Sequence, residues 1–182
     1  INPRWYIPNK LARLDLLPKQ RSNPDYFDRY HIRVFDNQQS DKTEINPASV
    51  DWQSVSMTNF PYSLVQEPGK KNALGRLKFI LPNPWKIYLH DTPSKSLFKH
   101  SRRNFSAGCI RVEDPVALAD FSLSRGIRPP LMDIINSNES YSTKLQQPLA
   151  VYVIYATVWP DGDELVFSPD SYLRDRKMAS YL

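Results

Sequence analysis

Cysteine occurs once in these 182 residues, histidine three times and glycine five times, and each scarcity removes a class of explanation. The single thiol, Cys109, cannot close an internal disulfide and rules out a multi-cysteine zinc site. With only His31, His90 and His100 beside it, no metal centre is expected, and no motif asks for a cofactor. No run approaches the roughly 18 apolar residues that a membrane helix requires. The longest, LAVYVIYATVW at 149–159, is strand-like. A signal peptide is also missing, and the chain opens at Ile1, so it reads as a mature or truncated fragment whose export stays open.

What is present is an ordinary globular composition, 41% hydrophobic and 24% charged, in a length that suits one domain with an elaborated insert. The net charge of +5 would suit an anionic partner such as nucleic acid, a membrane surface or an acidic wall polymer. It is spread along the chain with no basic arm and no nucleic-acid motif, so nucleic acid is not expected as a partner. Sixteen prolines imply rigid, irregular connections, and Asn23-Pro24, Asn46-Pro47 and Asp114-Pro115 each mark the start of a short helix. Residues 9–60 divide into such pieces: NKLARLDLL stopped by Pro18, NPDYFDRY, a strand-like HIRVF, then NPASVDW.

From about residue 61 the apolar period changes to two, which predicts strands at 62–66, 76–81, 86–90, 109–112, 149–158 and 164–168. Two helices are expected after Cys109, from Asp114 to Gly126 and over PLMDIINS. The expected architecture is a mostly β core preceded by a helix-containing insert.

In KIYLH (86–90), alternation sends Ile87 and Leu89 to the core and turns Tyr88 and His90 together towards a cleft. In CIRV (109–112) it sends Ile110 and Val112 inward and leaves Cys109 beside Arg111. If the two strands are neighbours, a thiol and an imidazole share one space, as nucleophilic catalysis requires. A free thiol with pKa near 8.5 is mostly protonated at neutral pH, so it needs an imidazole or a cation nearby. His90 can serve, and Lys95, Lys99, Arg102 and Arg103 crowd the intervening loop. Gly108 lets the backbone turn tightly and frees N–H groups to face an oxyanion. Each residue also has a plainer reading: Cys109 as a small buried hydrophobe, His90 as a structural histidine, Arg111 as an ion-pair partner of Glu113 or Asp114. The residue pattern alone leaves both readings open.

PGKKNALGRLKF (68–79), YLHDTP (88–93) and FSAGCIRV (105–112), in this order, resemble the L,D-transpeptidase family with its YkuD-type catalytic domain. Its signature is an upstream histidine followed by Ser/Thr-x-Gly-Cys-x-Arg, matched by His90, Ser106, Gly108, Cys109 and Arg111. The resemblance is firm over about residues 61–125, and NPRWYIP plus the insert looks like the YcbB-type branch of Gram-negative bacteria. It implies a β-sandwich or barrel-like core over 61–182, a capping insert over 9–60, and residues 1–8 as the start of a fragment whose first strands lie upstream. Cys109 would be the nucleophile, His90 the general base, and the carbonyl of Asp91 the group that orients the imidazole. Tyr88 and the N–H groups near Gly108 would stabilise the oxyanion. Arg111, Ser106 and Trp5 would contact substrate.

The partners so implied are peptidoglycan tetrapeptide stems as donor and acceptor, joined 3→3 in the periplasm, with carbapenems as covalent inhibitors. Two positions depart from the common family pattern. Ala107 stands where many members have histidine, and Asp91 stands where many have glycine, a carboxylate that could raise the pKa of the base beside it. A protein-directed cysteine or sortase-like transpeptidase fits the short spacing from His90 to Cys109 poorly. A non-catalytic wall-binding module would leave the thiol inert.

Overall fold

The computed structural model describes residues 1–37, 41, 43–106, 108–123 and 130–181. The first strand, β1 (Trp5–Tyr6), is followed by a helical run in three pieces: α1 (Asn9–Leu11), a π-helical stretch Ala12–Leu16, and α2 (Leu17–Ser22). Pro18 does not stop this run as the sequence predicts. It lies in the first turn of α2, where a missing N–H has no intrahelical bond to lose. The wider π turn, in which Leu17 N–H donates to Ala12 O, absorbs the ring that an ordinary helical turn would push against a carbonyl.

Asn-Pro pairs open the next pieces as expected. Asn23 Oδ1 accepts Asp25 N–H at 3.2 Å ahead of α3 (Tyr26–Arg29). Asn46 Oδ1 accepts Ala48 N–H at 2.9 Å at a 3₁₀ turn, Pro47–Ser49. Between them run β2 (Ile32–Asp36) and β3 (Glu44–Ile45), and β4 (Tyr62–Gln66) completes an antiparallel sheet in the order β1-β4-β2-β3. Alternation on β2 buries Ile32 and Val34, and the helices lay Leu16, Leu17 and Phe27 over that face. Trp52 packs edge-on against Phe27 with ring centroids 5.0 Å apart. Residues 9–60 therefore build the larger hydrophobic core, together with Ile7 and Leu64, and are integral to the fold instead of laid on it.

A second, three-stranded sheet carries β5 (Lys78–Ile80), β6 (Tyr88–His90) and β7 (Ile110–Arg111), with β5/β6 antiparallel and β6/β7 parallel. These strands are shorter than the sequence period suggests. Pro82 and Pro84 cannot donate to a ladder, and Lys86 and Gly108 have positive φ of 56° and 150°. Consequently Ile87 falls outside β6 and faces the cleft instead of the core, as does Ile110. α4 (Pro115–Leu123) starts where Asp114 Oδ1 accepts Ala117 N–H at 2.9 Å. Residues 124–126 of the expected helix lie outside the described residues. With α5 (Leu131–Ser137), α4 covers Leu77 in a smaller core of Leu77, Ala119, Leu131 and Ile135.

Polar side chains join the two halves. Asn2, fully buried, donates its backbone N–H to Arg76 O and its side-chain amide to Ile134 O, both at 2.7 Å. Asn72, 1% exposed, reaches Pro3 O, Gln66 O and Glu67 O, and its Oδ1 accepts Leu74 N–H at 2.8 Å.

The C-terminal segment departs most from expectation. β8 (Val158–Asp161) and β9 (Glu164–Phe167) form a hairpin before α6 (Arg174–Ala179), but 149–157 joins no ladder. Tyr152 and Ile154 stand 86% and 81% exposed. With 28% helix and 18% strand among the described residues, the molecule mixes sheets with a few helices where a mostly β one was expected. Among the described residues no helix is long and apolar enough to cross a membrane.

Because Phe27 is wholly buried beneath Trp52 and far from the small core, Phe27→Ala should cost about 3–5 kcal/mol of stability, read by urea unfolding. A loss under about 1 kcal/mol would show that residues 9–60 do not carry the core.

Candidate active site

Sheet register assembles the site. Lys78 on β5 stands opposite His90 on β6, and His90 stands opposite Arg111 on β7, so one row across the sheet carries ammonium, imidazole and guanidinium. Tyr88, two residues before His90 on β6, shares its face. Stepping back one residue along β7 from the pair Leu89 and Ile110 brings Cys109 alongside Tyr88.

His90 is 6% exposed, and its Nδ1 lies 2.5 Å from the carbonyl oxygen of Asp91. That carbonyl can only accept, so Nδ1 carries the proton and Nε2 keeps its lone pair. Burial first, then the charges of Arg111 and Lys78, push the imidazole pKa below its ordinary value against the opposing pull of the Asp91 carbonyl. The ring is thus neutral at pH 7, as a base must be. The Asp91 carboxylate pulls this pKa upward, as expected, but burial outweighs it.

The carboxylate is turned elsewhere. Asp91 Oδ2 accepts Arg76 N–H at 2.8 Å, and Oδ1, which has no ideally placed hydrogen-bond donor, faces Lys95 Nζ as an ion pair at 2.8 Å. Asp91 N–H donates to Leu77 O, and Lys95 also donates to the carbonyl of Glu113 at 2.6 Å, tying the start of the loop to the end of β7. Gly75 belongs to this clamp. Its φ is +61°, and a Cβ there would come 2.3 Å from Asp91 Oδ2.

Burial, followed by the charge of Cys109, pushes the Tyr88 phenol up to about 12. It stays protonated and can donate, either to sulfur or to an oxyanion. Gly108, with φ +150°, supplies a backbone turn that other residues rarely adopt, and its N–H donates to Ser106 Oγ at 3.3 Å. Cys109 is half-buried and opens, with Arg111, Ser106 and Gly108, onto a cleft of about 1140 Å³. The opposite wall is apolar, including Phe98, Phe105, Val151 and Tyr172, so the unpaired C-terminal segment lines the cleft. No described residue of that wall comes from 9–60.

Of the residues singled out in the sequence, Cys109, His90, Asp91, Tyr88, Gly108, Ser106 and Arg111 are brought together. Trp5 is not: it sits on β1, packed against the larger core, because the pairing of β1 with β4 turns it there. Among the described residues Arg111 has no ion pair with Glu113 or Asp114. Of the four loop cations, Arg103 lines the cleft, Lys95 clamps Asp91, and Lys99 and Arg102 point to solvent. Ala107 lies outside the described residues. Sequence reading missed Lys78, whose place beside His90 depends on a cross-strand register that alternation within one strand does not reveal. Among the described residues no three of His, Cys, Asp or Glu gather as a metal site. The arrangement of thiol, neutral imidazole and fixed donor is suited to nucleophilic acyl transfer.

Comparison with known proteins agrees with this geometry. The sequence profile of the YkuD L,D-transpeptidase catalytic domain matches residues 1–135. A Haemophilus influenzae protein named "Putative L,D-transpeptidase" is 35% identical over 180 residues, which is 98% of this chain. The chain spans only 36% of that relative's length.

The clamp on Asp91 can be tested at Gly75. Gly75→Ala should cost roughly 2–4 kcal/mol, from the left-handed backbone and the collision with Asp91 together, read as a lowered urea midpoint. An unchanged midpoint would mean that Asp91 is not held there.

Proposed function

The chain belongs to the L,D-transpeptidase family, and on that premise we propose that it exchanges one amide bond of peptidoglycan for another through a thioester on Cys109. Sγ of Cys109 attacks the carbonyl carbon joining the third stem residue to the terminal D-Ala of a tetrapeptide. The thiol proton passes to Nε2 of His90, and the carbonyl oxygen becomes an oxyanion that the Tyr88 hydroxyl and backbone N–H groups near Gly108 receive. When the C–N bond breaks, imidazolium returns the proton to nitrogen and D-Ala leaves. A side-chain amine of a second stem then attacks the thioester, gives its proton to His90, and releases the thiol. The product is a 3→3 cross-link.

The observation that carries this reading is the joint placement of Cys109, Tyr88 and His90 on one sheet face, with the imidazole tautomer fixed by Asp91. An uncompensated Arg111 at the cleft suits a stem carboxylate. Carbapenems, which present a strained acyl donor to the same thiol, are the expected covalent inhibitors, and the periplasm is where such a polymer would be met.

Intact-mass spectrometry after incubation with a disaccharide-tetrapeptide tests the reaction. Wild type should gain the muropeptide minus alanine and Cys109→Ala should gain nothing; an adduct on both, or on neither, would sink the assignment. Thioester formation should fall with acidification through a midpoint below about 6.5, because the depressed pKa keeps His90 neutral until then. His90→Gln should slow that step by roughly 10² to 10⁴. An unchanged rate would reject His90 as the base.

A further inference from the structure

Trp85 leaves a large apolar ring 76% exposed, and neither sequence reading nor the acyl-transfer scheme uses it. It lines the cleft onto which Cys109 opens. Its exposure is built into the turn that carries it. Pro82 and Pro84, each with φ locked by its ring, flank Asn83, and the Asn83 side chain ties the turn together. Its Nδ2 donates to Leu81 O at 2.7 Å and to Ile87 O at 2.6 Å, and its Oδ1 accepts Trp85 N–H at 3.1 Å and Ile87 N–H at 3.0 Å. The backbone that holds the indole at the cleft is thus fixed before any ligand arrives, which lowers the cost of binding there. The exposed residues of 149–157, by contrast, sit on a stretch that joins no ladder.

We propose that Trp85 is a stacking platform for a sugar ring of the glycan that carries the stem peptide. The proposal rests on the peptidoglycan reading and adds to it a subsite for the carbohydrate half of the substrate. The parallel register orders the cleft. Arg111 lies opposite His90, Cys109 alongside Tyr88, and a Cβ at Gly108 would lie 3.7 Å from Ile87 Cγ1. Trp85 stands two residues beyond Ile87, on the side of Cys109 away from Arg111.

The chemistry of that side suits a neutral ring. Of residues 81–87, those that line the cleft are Leu81, Pro82, Asn83, Trp85 and Ile87, none of them charged, and Lys86 does not line it. Stem peptides carry carboxylates, whereas N-acetylated pyranose rings carry no charge and offer a face of C–H bonds to the electron-rich face of an indole. Length agrees with this placement. In a muropeptide three stem residues, roughly 10 Å of extended chain, separate the sugar from the carbonyl that Cys109 attacks. Trp85 lies at most about 7 Å along the backbone from Ile87, and the indole adds its own reach.

The test is calorimetric titration of the Cys109→Ala chain, which has no nucleophile, with a disaccharide-tetrapeptide and with the same tetrapeptide lacking sugar. The disaccharide should tighten binding. Adding Trp85→Ala should weaken the disaccharide-tetrapeptide roughly fivefold or more and leave the free tetrapeptide unchanged. Trp85→Leu, apolar but without a ring, should lose as much. Because the indole is exposed, neither change should move the urea midpoint. No binding of either ligand, equal affinity for the two, an equal loss of both in Trp85→Ala, or full affinity in Trp85→Leu overturns the proposal. Binding is read here without catalysis, so a missing muropeptide adduct beside an intact sugar preference would reject the thioester and leave the platform standing.

Discussion

Everything at the site hangs on Asp91, a residue 7% exposed that uses all of its polar groups at once. Its carbonyl fixes the imidazole tautomer, its N–H pins β6 to the strand before it, and its carboxylate draws together Arg76 and Lys95. Burying a carboxylate without partners is costly, so the chain is compelled to bring those donors to it. The left-handed turn at Gly75 and the tie from Lys95 to the end of β7 follow from that requirement. The geometry of His90 and its neighbours is therefore set by groups outside the cleft.

The electrostatics are arranged in the opposite sense on the other face. There Lys78 and Arg111 flank a histidine that carries no charge. Behind the histidine the Asp91 carboxylate is paired with Lys95, while Arg111 and Arg103 line the cleft onto which Cys109 opens. Cations on the cleft side suit a ligand that carries negative charge.

Much of this was legible in the sequence because it is local. The Asx-Pro pairs named their helix starts correctly, since a side-chain cap acts within three residues, and Asn46 and Asp114 do so. His90, Cys109 and their neighbours were legible from spacing and from family resemblance. What failed was non-local. Trp5 was assigned to substrate although β4 draws it to the larger core, and 149–157 alternates without a strand to pair with. Ile87 defied its period because Lys86 breaks the strand just before it. Lys78 was invisible because significance there belongs to a row across three strands, not to any one of them.

Parallel strands cannot be joined by a tight hairpin, so β6 and β7 are connected by a long excursion that, among the described residues, holds one short 3₁₀ turn, Lys95–Lys99. Its two ends are clamped by Asp91, Lys95 and the sheet, while residues such as Phe98, Arg103 and Phe105 hang over the cleft. Chemistry and selectivity are thereby held by different parts of one continuous stretch. For an evolving lineage, the excursion is a region where length and side chains can drift while Cys109 and His90 keep their places on the sheet.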